Sequence, residues 1–154
     1  MSLRVFAREV ETFPIRKPFQ FKTEQIDSKR VIIYFYNENK NYVAYQVCYV
    51  DPPEMWLESG RTEENYRRRG YGTWIRAVAA WCAKRAGFKK IHQTSSFLTN
   101  TPKTNRPTSA YIMNKLGFKH ENSQNGSSSE FRYLNLNQNI PEVNAIIRKL
   151  KSTN

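Results

Sequence analysis

The sequence is poor in the residues that staple or metallate small proteins. It holds two cysteines, Cys48 and Cys82, and two histidines. They form no CxxC and no His/Cys cluster, so no metal site is expected. Two thiols are too few for a disulfide framework, and both are expected as reduced core residues, with a disulfide between them the lesser reading. Long apolar runs are also missing. None approaches the roughly 20 residues that cross a bilayer, and "MSLRVFAREVETF" lacks the apolar stretch of a secretory signal. A cytoplasmic location and no membrane partner are expected. Acidic residues are scarce, 13 against 25 Lys and Arg.

What is present suits one soluble domain, residues 1–154, with one core. Net charge is +12 and the pI about 9.9. That balance favours anionic partners such as nucleic acid or a phosphate-bearing cofactor. The excess is concentrated. Between Arg61 and Lys90 stand nine Lys and Arg against Glu63 and Glu64. For any single one of these cations, a solvated surface position is the plainer account.

Periodicity orders the chain. "LRVFAREV", Leu3 to Val10, alternates and predicts a strand. Glu11 to Arg30 holds two prolines and predicts loop with at most a short helix. Val31–Tyr36 and Tyr42–Val50 read as a hairpin around "NENKN". Met55–Thr62 reads as a third antiparallel strand beyond "DPP", weakened by Gly60. From Thr73 to Ala86 apolar residues recur at three and four, predicting a helix closed by Gly87. Lys89–Ser95 is a short strand, free to run parallel to Met55–Thr62 across that helix. Ser96–Thr108 reads as a polar loop and Ser109–Phe118 as a short helix stopped by Gly117. "SQNGSSS" reads as a turn between strands at Lys119–Glu121 and Glu130–Leu136. Pro141–Leu150 reads as an amphipathic helix with proline in its first turn.

The stretch "NYRRRGYGTW", Asn65 to Trp74, sits between a strand and a helix. A helix N-terminus offers unpaired N–H groups and the positive end of the dipole. Gly70 and Gly72 let the backbone approach a ligand closely. Together they suit a phosphate or pyrophosphate, with Arg67, Arg68 and Arg69 as mobile charge at the rim. No Gly-Lys-Ser/Thr follows, and position 75 is isoleucine, so neither the Walker nor the dinucleotide fingerprint is met. Taken alone, "RxxGxG" fits a tight basic turn equally well.

The longer pattern, "YRRRGYGTWIRAVAAWCAKRAG" followed by a short strand and "YIMNKLGF", resembles the GNAT superfamily of N-acetyltransferases. Arg67, Gly70 and Gly72 match its Arg/Gln-x-x-Gly-x-Gly/Ala signature, and Lys115 to Phe118 its second motif. The similarity spans Val31 to Leu136. It implies an α/β (α+β) fold: a mixed, mostly antiparallel sheet with a splayed parallel central pair, flanked by helices, the N-terminal helices here reduced. It also implies acetyl-CoA as cosubstrate. The amides of Arg69, Gly70, Tyr71, Gly72 and Thr73 would take the pyrophosphate, and Arg61 and Thr62 would border the pantetheine arm.

Acetyl transfer to an amine needs a base, oxyanion stabilisation and a proton for the departing thiolate. It needs no covalent nucleophile when both substrates are held together, so Cys48 and Cys82 are left to packing. Family members often draw the base from the strand before the turn. Glu54 and Glu58 are the carboxylates there, and Glu58 is the expected base if partial burial raises its pKa; a solvent-facing glutamate fits equally well. Where the family often has a tyrosine acid, this chain has Met113. Tyr111 lies round the helix from it, Ser109 shares its face, and His92 and His120 qualify by residue type only. Trp56, Tyr66, Tyr71 and Trp74 are candidates to wall an acceptor pocket. The acceptor stays open among a small amine, a protein amine and an aminoacyl-RNA. Two other readings remain, a basic nucleic-acid-binding module and a CoA-binding protein without catalysis, and a homodimer is compatible with each.

Overall fold

The computed structural model describes residues 2–37, 39–96, 112–121 and 129–151. In chain order these form α1 (Leu3–Glu11), β1 (Gln20–Gln25), β2 (Arg30–Tyr36), β3 (Tyr42–Asp51) and β4 (Glu54–Thr62). A 3-10 turn (Glu64–Tyr66) leads to α2 (Tyr71–Arg85), and β5 (Lys90–Ser96) follows. A short α3 at 112–115 precedes β6 (Lys119–Glu121), β7 (Ser129–Asn135) and α4 (Pro141–Leu150). The strands make one sheet ordered β1-β2-β3-β4-β5-β7-β6. Every neighbouring pair is antiparallel except β4 and β5.

Leu3 to Val10 is a helix, not the strand that its alternation predicts. Two periods compete in those eight residues, and burial follows the helical one. Leu3, Phe6 and Val10 are buried, whereas Val5 is 42% exposed. The Ser2 hydroxyl accepts from the Val5 N–H at 3.1 Å and caps the first turn.

The expected loop from Glu11 to Arg30 contains β1. Its sequence, QFKTEQ, carries one deeply buried apolar residue, Phe21. Such an edge strand is held by its neighbour. It pairs with β2 from Gln20↔Tyr36 to Gln25↔Val31. The connection is a tight turn in which Ile26 N–H donates to the Arg30 carbonyl at 2.9 Å. No helix therefore stands between the first two strands, and the single N-terminal helix precedes both.

The remaining described elements match their periodicity. Gly87 ends α2 at φ 93 and Gly117 closes α3 at φ 83. At both, a left-handed conformation turns the chain where a Cβ would be strained. β6 and β7 pair as a hairpin. The polar loop at 97–108, the start of the helix at 109–111 and the turn at 122–128 lie outside the described residues.

Among the described residues the helices share one face of the sheet. α2 packs on β3 and β4 with α1 on one flank and α4 on the other, and Asn114 of α3 meets Arg132 of β7. Burial alternates accordingly. Val31, Ile33, Phe35, Cys48, Val50, Met55, Leu57 and Ile91 point into the core. Their strand neighbours Ile32, Tyr34, Tyr36, Tyr45, Val47, Tyr49 and Trp56 are half-buried on the opposite face.

Candidate active site

The parallel pair is short. β4 and β5 are in register only from Glu54↔Lys90 to Leu57↔Gln93, although β4 continues to Thr62 and β5 to Ser96. Past Leu57 the two strands part, and the edge of β4 from Glu58 onward has no ladder partner on that side. β4 is also bulged there. Cys48 faces Leu57 but Gln46 faces Gly60, so Glu58 and Ser59 share the space opposite Val47.

Gln46 braces the bulge. It is fully buried, and its Nε2 donates to the carbonyls of Val47 at 3.0 Å, Ser59 at 3.3 Å and Glu58 at 3.4 Å. A Cβ on Gly60 would press on the Gln46 carboxamide oxygen. Gly60 weakens the strand in a sequence reading. In the fold it is the residue that makes room for this brace.

β4 leads through the 3-10 turn to the start of α2. Gly70 takes φ 85 as its N-cap and supplies no side chain to the free amides. The first α2 amide to bond within the helix is Trp74, to Gly70 at 2.9 Å. The N–H groups of Tyr71, Gly72 and Thr73 precede the ladder. Gly72 is closely hemmed. A Cβ there would meet Arg76 Nη1 at 3.2 Å, Ile112 Cδ1 at 3.4 Å and Thr62 Oγ1 at 3.5 Å. The structure thus brings Thr62, Gly70, Tyr71, Gly72 and Thr73 to one end of the β4–β5 gap.

The three consecutive arginines differ in what they do. Arg67 Nε donates to the Thr62 carbonyl at 3.1 Å and ties the turn to β4. Arg69 lies over the Tyr66 ring at 5.5 Å. Arg68 is exposed, with φ 67. Arg61 is exposed on β4, opposite Tyr45.

Arg76 has no role in the sequence reading and is missed there. Its guanidinium folds back one turn and donates from Nη1 to the Gly72 carbonyl at 3.2 Å. Its Nε is buried without a hydrogen-bond partner among the described residues. Loss of water around it pushes its pKa down to about 10, and no carboxylate among the described residues offsets that. The i, i+4 spacing from Gly72 was the available signal. Arg16 was also missed. It lies over the Trp74 ring at 5.6 Å, beside the same helix start.

Glu58 stands at the bulge on the open face. It is exposed and paired with Arg30 Nε at 2.9 Å, the side chains retaining 37% and 40% of their surface. The partial burial expected for it is not found. Glu54 bonds to His92 Nε2 at 3.1 Å, and the imidazole stacks on Trp56 at 4.8 Å and 12°. The candidate aromatic wall divides. Tyr71 and Trp74 pack with Phe19 and Phe35 on the helix side, Tyr66 reaches Asn41, and Trp56 lies across the sheet. Met113 is fully buried. Ser109 and Tyr111 lie outside the described residues, as does the side chain of His120. Cys48 and Cys82 are buried and unpaired, and burial pushes both thiols well above their ordinary pKa. That disfavours either as a nucleophile.

Residues 3–118 match the model of the acetyltransferase (GNAT) family. The chain belongs to this family. Solved structures agree with the GNAT fold at low identity. The ribosomal-protein-S18-alanine N-acetyltransferase of Escherichia coli is 13% identical, with a TM-score of 0.57 over 71% of each chain. A Bacillus subtilis acetyltransferase in complex with CoA is 14% identical, with a TM-score of 0.56 over 70% of this chain and 77% of that one. The spermidine N-acetyltransferase of Vibrio cholerae, a dodecamer, is 11% identical, with a TM-score of 0.57 over 71% of this GNAT chain and 67% of its own. No curated protein matches the sequence. No helix among the described residues is long and apolar enough to cross a membrane.

Proposed function

We propose that this GNAT chain is an acetyl-CoA-dependent N-acetyltransferase that moves the acetyl group directly to an amine while both substrates are bound. The observation that carries this reading is the cradle itself. Three amides outside the helical ladder, a glycine hemmed on three sides and a half-buried arginine that meets no carboxylate among the described residues converge at the end of a splayed strand pair. A phosphate fits that donor set: it accepts from the amides and neutralises the guanidinium.

Acetyl-CoA, when bound, supplies an acyl group already activated as a thioester. The residues from Arg69 to Thr73 hold its diphosphate, with Arg68 and Arg76 adding charge. The free edge of β4 at Arg61 and Thr62 borders the arm. The bulge at Glu58 and Ser59 marks where the acyl end would lie, since β4 and β5 are apart only beyond Leu57. Glu58 takes the proton that the amine must lose. Solvent at this exposed edge carries that proton away and returns one to the departing sulfur. A second base deserves a place because of one contact, the Glu54–His92 hydrogen bond. Glu54 orients the imidazole through that contact. The two unpaired thiols suit a cytoplasmic setting.

Calorimetry with acetyl-CoA and CoA, then turnover across an amine panel, tests the proposal. Micromolar binding of both cofactors and release of CoA with at least one amine are expected. Binding without turnover would leave a cofactor-binding protein, and no binding would remove the cradle assignment. Among base candidates, whichever of Glu58→Gln and His92→Gln lowers kcat by a hundredfold or more with little change in KM is the base.

A further inference from the structure

A carboxamide stands inside the core behind the β4 bulge, and packing alone does not require one. Gln46 is fully buried on the helix side of β3, with Ala44 and Cys48. Its Oε1 is buried with no hydrogen-bond partner among the described residues. An unmet acceptor in a core is a cost that leucine or methionine would avoid. The donor end accounts for the residue. Nε2 gathers three carbonyls, those of Val47, Ser59 and Glu58 at 3.0, 3.3 and 3.4 Å. The reverse orientation would set one oxygen against three others, so the carboxamide has a single usable pose.

Gathering these carbonyls also aims the amides bonded to them. A trans peptide sets its N–H opposite its own C=O. With the Ser59 carbonyl turned to Gln46, the Gly60 N–H points away from β3. The ladder agrees. The Glu63 N–H donates to the Val43 carbonyl at 2.8 Å, and amides alternate sides along a strand, so that of Gly60, three residues earlier, faces the β5 side. Regular alternation would return the Ser59 amide to β3. The Glu58 carbonyl is turned to Gln46 as well, which brings the Ser59 N–H round. Both amides therefore face the edge of β4 that has no ladder partner beyond Leu57. Two successive N–H groups on one side form a concave site for negative charge.

We propose that Gln46 is a positioning residue for acyl transfer, a role that rests on the acetyl-CoA reading: it holds the bulge so that the amides of Ser59 and Gly60 meet the thioester oxygen. As the amine nitrogen bonds to the acyl carbon, negative charge builds on that oxygen. The charge leaves when the carbon–sulfur bond breaks and its electron pair goes to sulfur, while the amine proton goes to the base. Donors fixed in advance stabilise such charge without reorganising. Gln46 fixes these two from inside the core.

Infrared spectroscopy of acetyl-CoA bound to the full chain, isotope-edited at the thioester carbonyl, tests this without turnover. The carbonyl stretch is expected to fall on binding to the parent and to return toward its free value in Gln46→Met, with CoA affinity by calorimetry little changed. With an amine found active, Gln46→Met should lower kcat by about a hundredfold with KM and the pH profile unchanged, since the base is untouched. Gly60→Ala, which displaces the carboxamide, should act in the same direction and serves if Gln46→Met does not fold. Val50→Ala removes core volume from the same strand away from the bulge and should keep the shift, which separates positioning from general loosening. No shift in the parent, a shift that persists in folded Gln46→Met, or one that Val50→Ala removes equally would overturn the role of Gln46 and leave the acetyl-CoA reading standing. Failure of the parent to bind acetyl-CoA would overturn both.

Discussion

Arg76 donates from its guanidinium to the carbonyl of Gly72 at 3.2 Å, so a half-buried cation hangs on the tightest residue of the helix start. The charge is drawn partly out of water, and among the described residues no carboxylate meets it. In the free protein this arrangement costs stability. With an anion in the cradle it contributes binding.

Arg76→Met should therefore separate the two effects. Near pH 7 the variant is expected to be as stable as the parent or up to about 1 kcal/mol more stable, since a half-buried charge is replaced by apolar volume. Its CoA affinity should fall about tenfold, the effect of losing one charge-assisted contact. The pH dependence has a definite sign. The folded pKa, about 10, lies below the ordinary 12.5. Between those values the unfolded chain binds the extra proton, so this group's penalty is full below pH 10 and relieved as pH rises toward 12.5. The stability gap between variant and parent should narrow in that window, measured by urea unfolding at matched pH values.

Gly72→Val tests the cradle. The position is helical, so the backbone tolerates a side chain, but the added atoms occupy the space bordered by Arg76, Ile112 and Thr62. Calorimetry should show CoA affinity reduced at least tenfold. Thermal unfolding should show a loss of about 1 kcal/mol or less, because the crowding is offset by valine's higher helix propensity than glycine's. Unchanged affinity would place the diphosphate elsewhere.

Gly60 and Gln46 should be coupled. Gly60→Ala drives a methyl against the Gln46 carboxamide, with Cδ at 3.1 Å and the Tyr45 carbonyl oxygen at 3.2 Å. A cost of roughly 1–3 kcal/mol is expected. Gln46→Ala removes the donor from the bulge carbonyls and should cost a similar amount. In a double-mutant cycle the two losses should fall short of additivity by at least 0.5 kcal/mol. Strict additivity would mean that the glycine serves some other purpose.

The thiols should be chemically silent. Both are buried, and burial holds them protonated. The folded enzyme should keep its full activity after iodoacetamide, and initial-velocity plots should intersect, as direct transfer requires. Parallel lines, or loss of activity with alkylation of one cysteine, would point to an acyl-enzyme.

Much of the fold was legible because its signals are local. The β2–β3 hairpin, the period of α2 and the glycine stops at Gly87 and Gly117 are each written within about fifteen residues. The approach of Gly70 and Gly72 to an uncapped helix start is equally local. At Leu3–Val10 two periods fit, and the choice depended on a hydroxyl at Ser2 and on what lay beneath Phe6. β1 carries almost no pattern, because an edge strand with one buried residue takes its conformation from β2.

The sequence by itself determined the strand–turn–helix that holds the amides, the basic excess around it and the order of most elements, since backbone preference and turn chemistry act between near neighbours. Only the tertiary structure decided that Glu58 pairs with Arg30, that His92 meets Glu54 and that Gln46 shapes the bulge around Gly60. It also set the aromatic rings of β2, β3 and β4 on a face that no described helix covers. Those relations join residues that are mostly far apart in the chain. They exist because the sheet brings strands into register, and that register depends on the burial of the whole core.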